Sequence, residues 1–178
     1  GTARPATALE ELWHADYVSS ARSLPAPIDI NGDARQELLF TTRFDGTLWT
    51  LDNAGQTQFQ LPRANWLGGS IAVTELRRDP VAALEESDGS VTAVDLASSS
   101  VVSSVVPGSP LPGLTPCFAD LRASGRQDIV VVRDNAVMTA LDRSLNVLWQ
   151  YASTASFQTS PAAAPVFPDG AAVYAADA

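Results

Sequence analysis

"FDGTLWTLDNAGQTQFQ", residues 44–60, is one of three stretches in this chain written to a single plan. The others are "SDGSVTAVDLASSSVVS" at 87–103 and "RDNAVMTALDRSLNVLWQ" at 133–150. Each carries Asp-Gly or Asp-Asn near its start, then an alternating apolar stretch, then Leu-Asp or Val-Asp. Period-two alternation places every second side chain on one face of an extended strand. The anchoring aspartates Asp52, Asp95 and Asp142 stand 43 and 47 residues apart. Seven residues beyond each comes a bulky apolar residue: Phe59, Val102 and Trp149. The Asp-Gly pairs at 45–46 and 88–89 predict tight hairpins, because glycine reaches positive φ without a Cβ clash.

The half-unit before each hairpin repeats as well. "DINGDARQELLF" begins at Asp29, "ELRRDPVAALEE" at Glu75 and "DLRASGRQDIVV" at Asp120, in steps of 46 and 45. A further step of 45 lands on Pro165, inside "SPAAAPVFPDGAAVYAAD". At the other end "ALEELWHAD" echoes "SLNVLWQYA", with Trp13 in the place of Trp149. Trp13, Phe59 and Trp149 lie 16 residues before Asp29, Glu75 and Pro165. One unit therefore holds four short strands, in the first complete unit near 25–29, 37–42, 46–51 and 56–61. Four antiparallel strands every ~45 residues predict an all-β chain of β-propeller blades.

Counting strands gives an unfinished ring. Residues 8–18 supply only the outer strand of a preceding blade. Complete blades are expected at 19–61, 62–106 and 107–151, and 152–178 supply the first two strands of a following one. A ring closed from both ends would lack a third strand, leaving an unpaired outer strand and an open edge, both costly. The expectation is a partial β-propeller, with 1–178 a single fragment of it. Its remainder would come from the same chain or from another.

These stretches resemble known repeats. "DGTLWTLD", "DGSVTAVD" and "LDRSLNVLW" are similar to blades of quinoprotein-type (PQQ-like) propellers. "DINGDARQELLF" resembles the FG-GAP (VCBS) repeats that integrin α-subunit propellers share. The resemblance covers nearly the whole chain. It implies a propeller and an extracellular, periplasmic or lumenal setting. It implies no single function, because such blades serve enzymes, adhesion proteins and assembly scaffolds alike.

In FG-GAP-like loops, oxygens at places one, three, five and nine, with a backbone carbonyl at seven, bind calcium. The resemblance carries these roles to Asp29, Asn31, Asp33 and Glu37, with Arg35 lending its carbonyl. Hard cations take such oxygen-rich shells. Ala34 stands where glycine is usual, and Glu37 is one methylene longer than the usual aspartate. The other reading is a metal-free Asx turn, and both stay open; Ca2+ is the one cofactor considered. In "DLRASGRQD", Arg122 and Ser124 replace the third and fifth places, and a guanidinium there would repel a cation. In "ELRRDPVAA" the loop is shortened and holds Pro80. Retention of the loop where metal cannot bind marks it as primarily structural.

Other candidates are weaker. Asp52, Asp95 and Asp142 could pass for a catalytic set, but equivalent turns on different blades lie far apart, so they read as turn caps. Trp13, Phe59, Val102 and Trp149 read as blade packing. Trp49 and Trp66 break the repeat and read either as core filling or as partner anchors. His14, the one histidine, has no companion at ligand spacing. Cys117, the sole cysteine, permits no internal disulfide and reads as a small buried residue of a first strand. No nucleophile elbow, phosphate loop or dinucleotide motif occurs.

Composition narrows the partners. Twenty acids against 11 bases, all arginine, leave a net charge of −9 over 178 residues. Such a surface opposes nucleic acid and anionic lipid, which need a basic face. At 46% hydrophobic and 17% charged, the chain should fold. No apolar run approaches the roughly 20 residues of a membrane helix, and "GTARPATALE" has no signal-peptide core. Together these features point to a non-catalytic scaffold or protein-binding module. Its partners would be other protein chains or the remainder of the same chain. A calcium-stiffened adhesion ectodomain is the alternative. Part of a quinone-cofactor dehydrogenase is a second one, although the adjacent cysteine pair that commonly covers that cofactor is absent.

Overall fold

The apolar alternation becomes strands wherever Asp- and Gly-bearing turns punctuate it. The computed structural model describes residues 14, 21, 23–42, 46–62, 71–74, 80–106, 108–111, 114–166 and 170–177. The first sheet holds β1 (Ala26–Ile28), β2 (Glu37–Thr41), β3 (Leu48–Leu51) and β4 (Thr57–Leu61). The second holds β5 (Ala72–Val73), β6 (Val81–Glu85), β7 (Ser90–Asp95) and β8 (Ser100–Val105). The third holds β9 (Cys117–Ala119), β10 (Asp128–Val132), β11 (Val137–Leu141) and β12 (Val147–Ala152). A fourth has β13 (Ala162–Val166) and β14 (Gly170–Tyr174). Each sheet is an antiparallel meander in chain order. The described residues are all-β and form an open arc of propeller blades. No helix among them is long and apolar enough to cross a membrane.

Register repeats from blade to blade. Thr50 faces Phe59, Ala93 faces Val102 and Ala140 faces Trp149. The β6–β7 hairpin closes through the Gly89 N–H donating to the Glu86 carbonyl, with Gly89 at φ 90°. That conformation costs an L-residue about 1–2 kcal/mol. Gly46 holds the matching place at φ 60°; in the third blade Ala136 holds it at the same angle.

The first strands stack side by side: β1 against β5, β5 against β9, and β9 against β13 and β14. The second and third blades are thereby sandwiched between neighbours. Strands β6 and β10 are buried at every residue, which explains why "VAALE" and "DIVVV" read as unbroken runs rather than alternating ones. One apolar cluster fills each interface. Leu39, Leu48, Leu84 and Val94 join the first and second blades. Ala83, Val91, Ile129 and Leu141 join the second and third, and Val130, Val132, Met138 and Phe157 join the third and fourth. Ile129, Val130 and Val131 are fully buried, each contributing about 1.5–3 kcal/mol.

The expected outer strand at 8–18 with Trp13, the connector residue Trp66, Asp45 of the first hairpin, and 75–79 of the shortened loop lie outside the described residues.

Candidate functional site

A meander sends the β1–β2 and β3–β4 turns, with their counterparts, to one end of the arc. The β2–β3-type hairpins and the blade connections gather at the other. The two ends carry different polar chemistry.

At the first end, Asp29 organises the 29–37 loop. Its Oδ1 accepts from the Gly32 N–H at 2.7 Å and its Oδ2 from the Ala34 N–H at 3.0 Å. Asn31 Oδ1 accepts from the Asp33 N–H, and Asp33 Oδ1 from the Arg35 N–H at 2.8 Å. Glu37 Oε2 accepts from the Ile30 N–H at 2.8 Å. Asp29 and Glu37 are buried, while Asn31, Asp33 and Arg35 are exposed. The loop is thus closed by its own N–H donors. Among the described residues no three His, Cys, Asp or Glu side chains are grouped as a metal shell.

The third blade repeats this loop with different polar chemistry. Asp120 accepts from the Ser124 and Gly125 N–H groups, each at 2.8 Å. Those bonds, the Ser124 one foremost, hold its carboxyl below the ordinary aspartate range. Arg122 reaches Asp128, a fully buried carboxylate at the place of Glu37, with its NH2 2.6 Å from Oδ1. A cationic group therefore sits beside the ninth-place acid in this copy.

Asp52, Asp95 and Asp142 cap separate turns. Asp52 Oδ1 accepts from Ala54 and Gln56, Asp95 Oδ1 from Ser98, and Asp142 Oδ1 from Ser144 and Asn146. The Gln56 N–H leads in lowering the Asp52 carboxyl. For Asp142, burial pushes the carboxyl up, and bonds from Asn146 and Ser144 outweigh it.

The opposite end holds a charge cluster that no motif in the sequence marks. Arg133, fully buried at the end of β10, crosses to the second blade. Its NH2 donates to the Gly89 carbonyl at 3.3 Å, and NH1 lies 3.9 Å from Glu85 Oε2. Nε and NH1 have no hydrogen-bond partner among the described residues. Burial raises the Glu85 carboxyl to about 7, against the pull of Arg133; burial likewise lowers the guanidinium. Fully buried Glu86 accepts a hydrogen bond from Thr92 Oγ1. The signal was present in the repeat: Thr42, Glu86 and Arg133 share the place that opens each hairpin. Arg133 reaches not its register equivalent Glu86 but the preceding Glu85 and the Gly89 carbonyl.

Trp49 is half-buried, and its Nε1 donates to Thr42 Oγ1 at 3.2 Å, a structural bond. His14 is exposed. Cys117 begins the inner strand β9 half-buried, its thiol pushed up to about 11 by burial. It lines a cavity of about 760 Å³ with Ala72, Phe118, Asp120 and Ala163, between the first strands.

Known proteins place this geometry in a fold. No family model and no curated protein matches the sequence. Solved structures do match the fold. BBS1N in complex with ARL6DN, soaked with lead, superposes with a TM-score of 0.72 at 14% identity, over 93% of this chain and 52% of that one. A mercury-soaked crystal of the same complex gives 0.57 at 12% identity, covering 80% and 47%. BamB from Moraxella catarrhalis gives 0.56 at 14%, covering 76% and 39%. The chain spans about half the length, or less, of the structures it matches. These likenesses support the β-propeller fold.

Proposed function

We propose that this chain is a non-catalytic β-propeller scaffold that binds other proteins as part of a larger ring or assembly. One observation carries the reading: BBS1N, similar over 93% of this chain, is seen in complex with another protein, ARL6DN. The chain's own residues agree, since the repeated aspartates are engaged in turns on separate blades. The net charge of −9 favours a partner with a basic docking face, whose association would slow as salt rises. Cross-linking should identify a partner, and reconstitution from purified components should give a salt-sensitive complex. A chain that stays monomeric and binds none of its cross-linked candidates overturns the reading.

The second reading is calcium in the 29–37 loop, stiffening an adhesion-type ectodomain. The third blade favours it, because Arg122 puts a positive group beside Asp128 where the first blade offers Asn31, Asp33 and Glu37. In this reading a calcium ion takes the role of the guanidinium. Asp29, Asn31, Asp33, Glu37 and the Arg35 carbonyl would hold the ion, Asp33 giving up its bond from the Arg35 N–H.

A further inference from the structure

The outer strands β4, β8 and β12 each pair with one neighbour among the described residues. None of them contains a charged residue or a proline, the side chains that blunt a sheet edge against further pairing. Two of the three are interrupted instead. Thr50 and Leu51 face Phe59 and Thr57, which leaves Gln58 as an extra residue in β4. Ala140 and Leu141 face Trp149 and Val147, which leaves Leu148 extra in β12. Such a bulge bends the strand and turns its edge away from a partner. Strand β8 has none: its six residues pair without a break, from Val105 opposite Ser90 to Ser100 opposite Asp95. It is the outer strand of the second blade, which has a neighbour on both sides.

One bond sets the direction of the β8 backbone groups. The Val106 N–H donates to the Gly89 carbonyl at 3.3 Å, so these two residues form a hydrogen-bonded pair. Bonded and non-bonded pairs alternate along an antiparallel ladder. Ser104, Val102 and Ser100 therefore turn their N–H and C=O groups inward to β7, while Val101, Ser103 and Val105 turn theirs outward. The other side of β7 keeps the same phase, with the Glu86 N–H donating to Ser90 and the Leu96 N–H to Pro80. On either face of this outward row stand Val102, 41% exposed, and Val105, 74% exposed.

Charge selects the occupant. Carboxylates stand at both ends of the strip: half-buried Asp95 opposite Ser100, and exposed Asp88 two residues before Ser90, which faces Val105. The described base at the Asp88 end, Arg133, is buried against Glu85 and the Gly89 carbonyl. A second copy paired edge to edge would set carboxylates against carboxylates, between chains that each carry −9. We propose that the β8 edge is a docking strip for an extended, basic segment of another protein, which adds a fifth strand to the second blade. The added strand bonds to the outward groups of Val101, Ser103 and Val105 and sets β-branched residues beside Val102 and Val105. A lysine or arginine near each of its ends meets Asp95 and Asp88. The proposal names a surface for the scaffold reading and rests on it.

The test adds to the 178-residue chain a peptide of about eight residues, alternating valine and threonine between a terminal lysine and a terminal arginine. Hydrogen exchange of the Val101, Ser103 and Val105 amides should slow by about tenfold, with Val102 and Ser104 little changed. The same peptide methylated at each backbone nitrogen, or ending in glutamates, should protect nothing. Val105→Pro removes an outward N–H and no ladder bond, so it should melt like the parent and weaken peptide binding by about tenfold or more. Val105→Thr, which keeps that N–H, should bind like the parent. Absence of protection overturns the proposal, as does equal protection by either control peptide or unchanged binding to Val105→Pro. Protection that appears in the chain alone and grows with its concentration assigns the edge to a second copy and also overturns it. A cross-linked partner that binds the parent and Val105→Pro equally removes β8 and leaves the scaffold reading standing; a chain with no partner overturns both.

Discussion

Arg122 grips Asp128 with two prongs, NH2 to Oδ1 at 2.6 Å and Nε to Oδ2 at 3.2 Å, and the carboxylate it holds is fully buried. Removing the guanidinium would strand a buried charge. Thermal melting of Arg122→Ala should show a clear loss of stability. Arg122→Lys, which keeps the charge but not the fork, should lose less. Equal melting of the three proteins would mean that water replaces the arginine without cost.

Ala34 adopts φ 66° on an exposed loop, a conformation glycine takes without strain. Ala34→Gly should raise stability by roughly 0.5–1 kcal/mol, the relief of strain exceeding the added freedom of the unfolded chain. Gly170→Ala should go the other way. It sits at φ 106°, and a Cβ there would come 2.9 Å from the Asp120 carbonyl oxygen, a backbone atom with little room to yield. Denaturant midpoints at constant m-value decide both.

Stability should fall as pH rises from about 4.5 to 7. The folded Glu85 carboxyl is raised to about 7 from an ordinary 4.5, so across this window the folded state holds a proton that the unfolded chain releases. The contribution is lost progressively, up to about 3 kcal/mol above pH 7. Asp52, Asp120 and Asp142 act oppositely. Their carboxyls are lowered in the fold, so their stabilisation is present above pH 4 and lost as pH falls through their folded values. Melting temperature should therefore peak on the acid side of neutrality, and Glu85→Gln should flatten the decline between pH 4.5 and 7.

Arg133 and Glu85 should behave as a unit. Arg133→Met alone leaves Glu85 buried without its counter-charge and should cost about 3–5 kcal/mol at pH 8, where the carboxyl is ionised. The double variant with Glu85→Gln should cost much less than the two single changes together, a coupling above about 1 kcal/mol. Additive losses would show that the 3.9 Å pair contributes nothing beyond packing.

Calcium binding at 29–37 should raise the melting temperature at millimolar Ca2+ and be reversed by a chelator. Asp33→Ala should abolish the response while leaving the metal-free melt nearly unchanged, since Asp33 is exposed. A melt indifferent to calcium leaves the loop to its Asx bonds alone.

The repeat spacing alone determined that the chain is all-β and built of four-stranded blades, because side-chain alternation and turn chemistry are local and recur at fixed intervals. Gly89 in its hairpin and Asp142 in its turn were legible for that reason. Interactions between blades were not. Arg133 meets Glu85 and Gly89 across 48 and 44 residues of sequence, and only the stacking of the second and third blades brings them together. Tertiary structure likewise decided that Phe59 is half-buried against Val94 and Val101 of the second blade while Trp149 is 36% exposed, although both occupy one place in the repeat. A repeat fixes the register of a strand within its own sheet. What lies against the face of that sheet depends on the neighbouring blade.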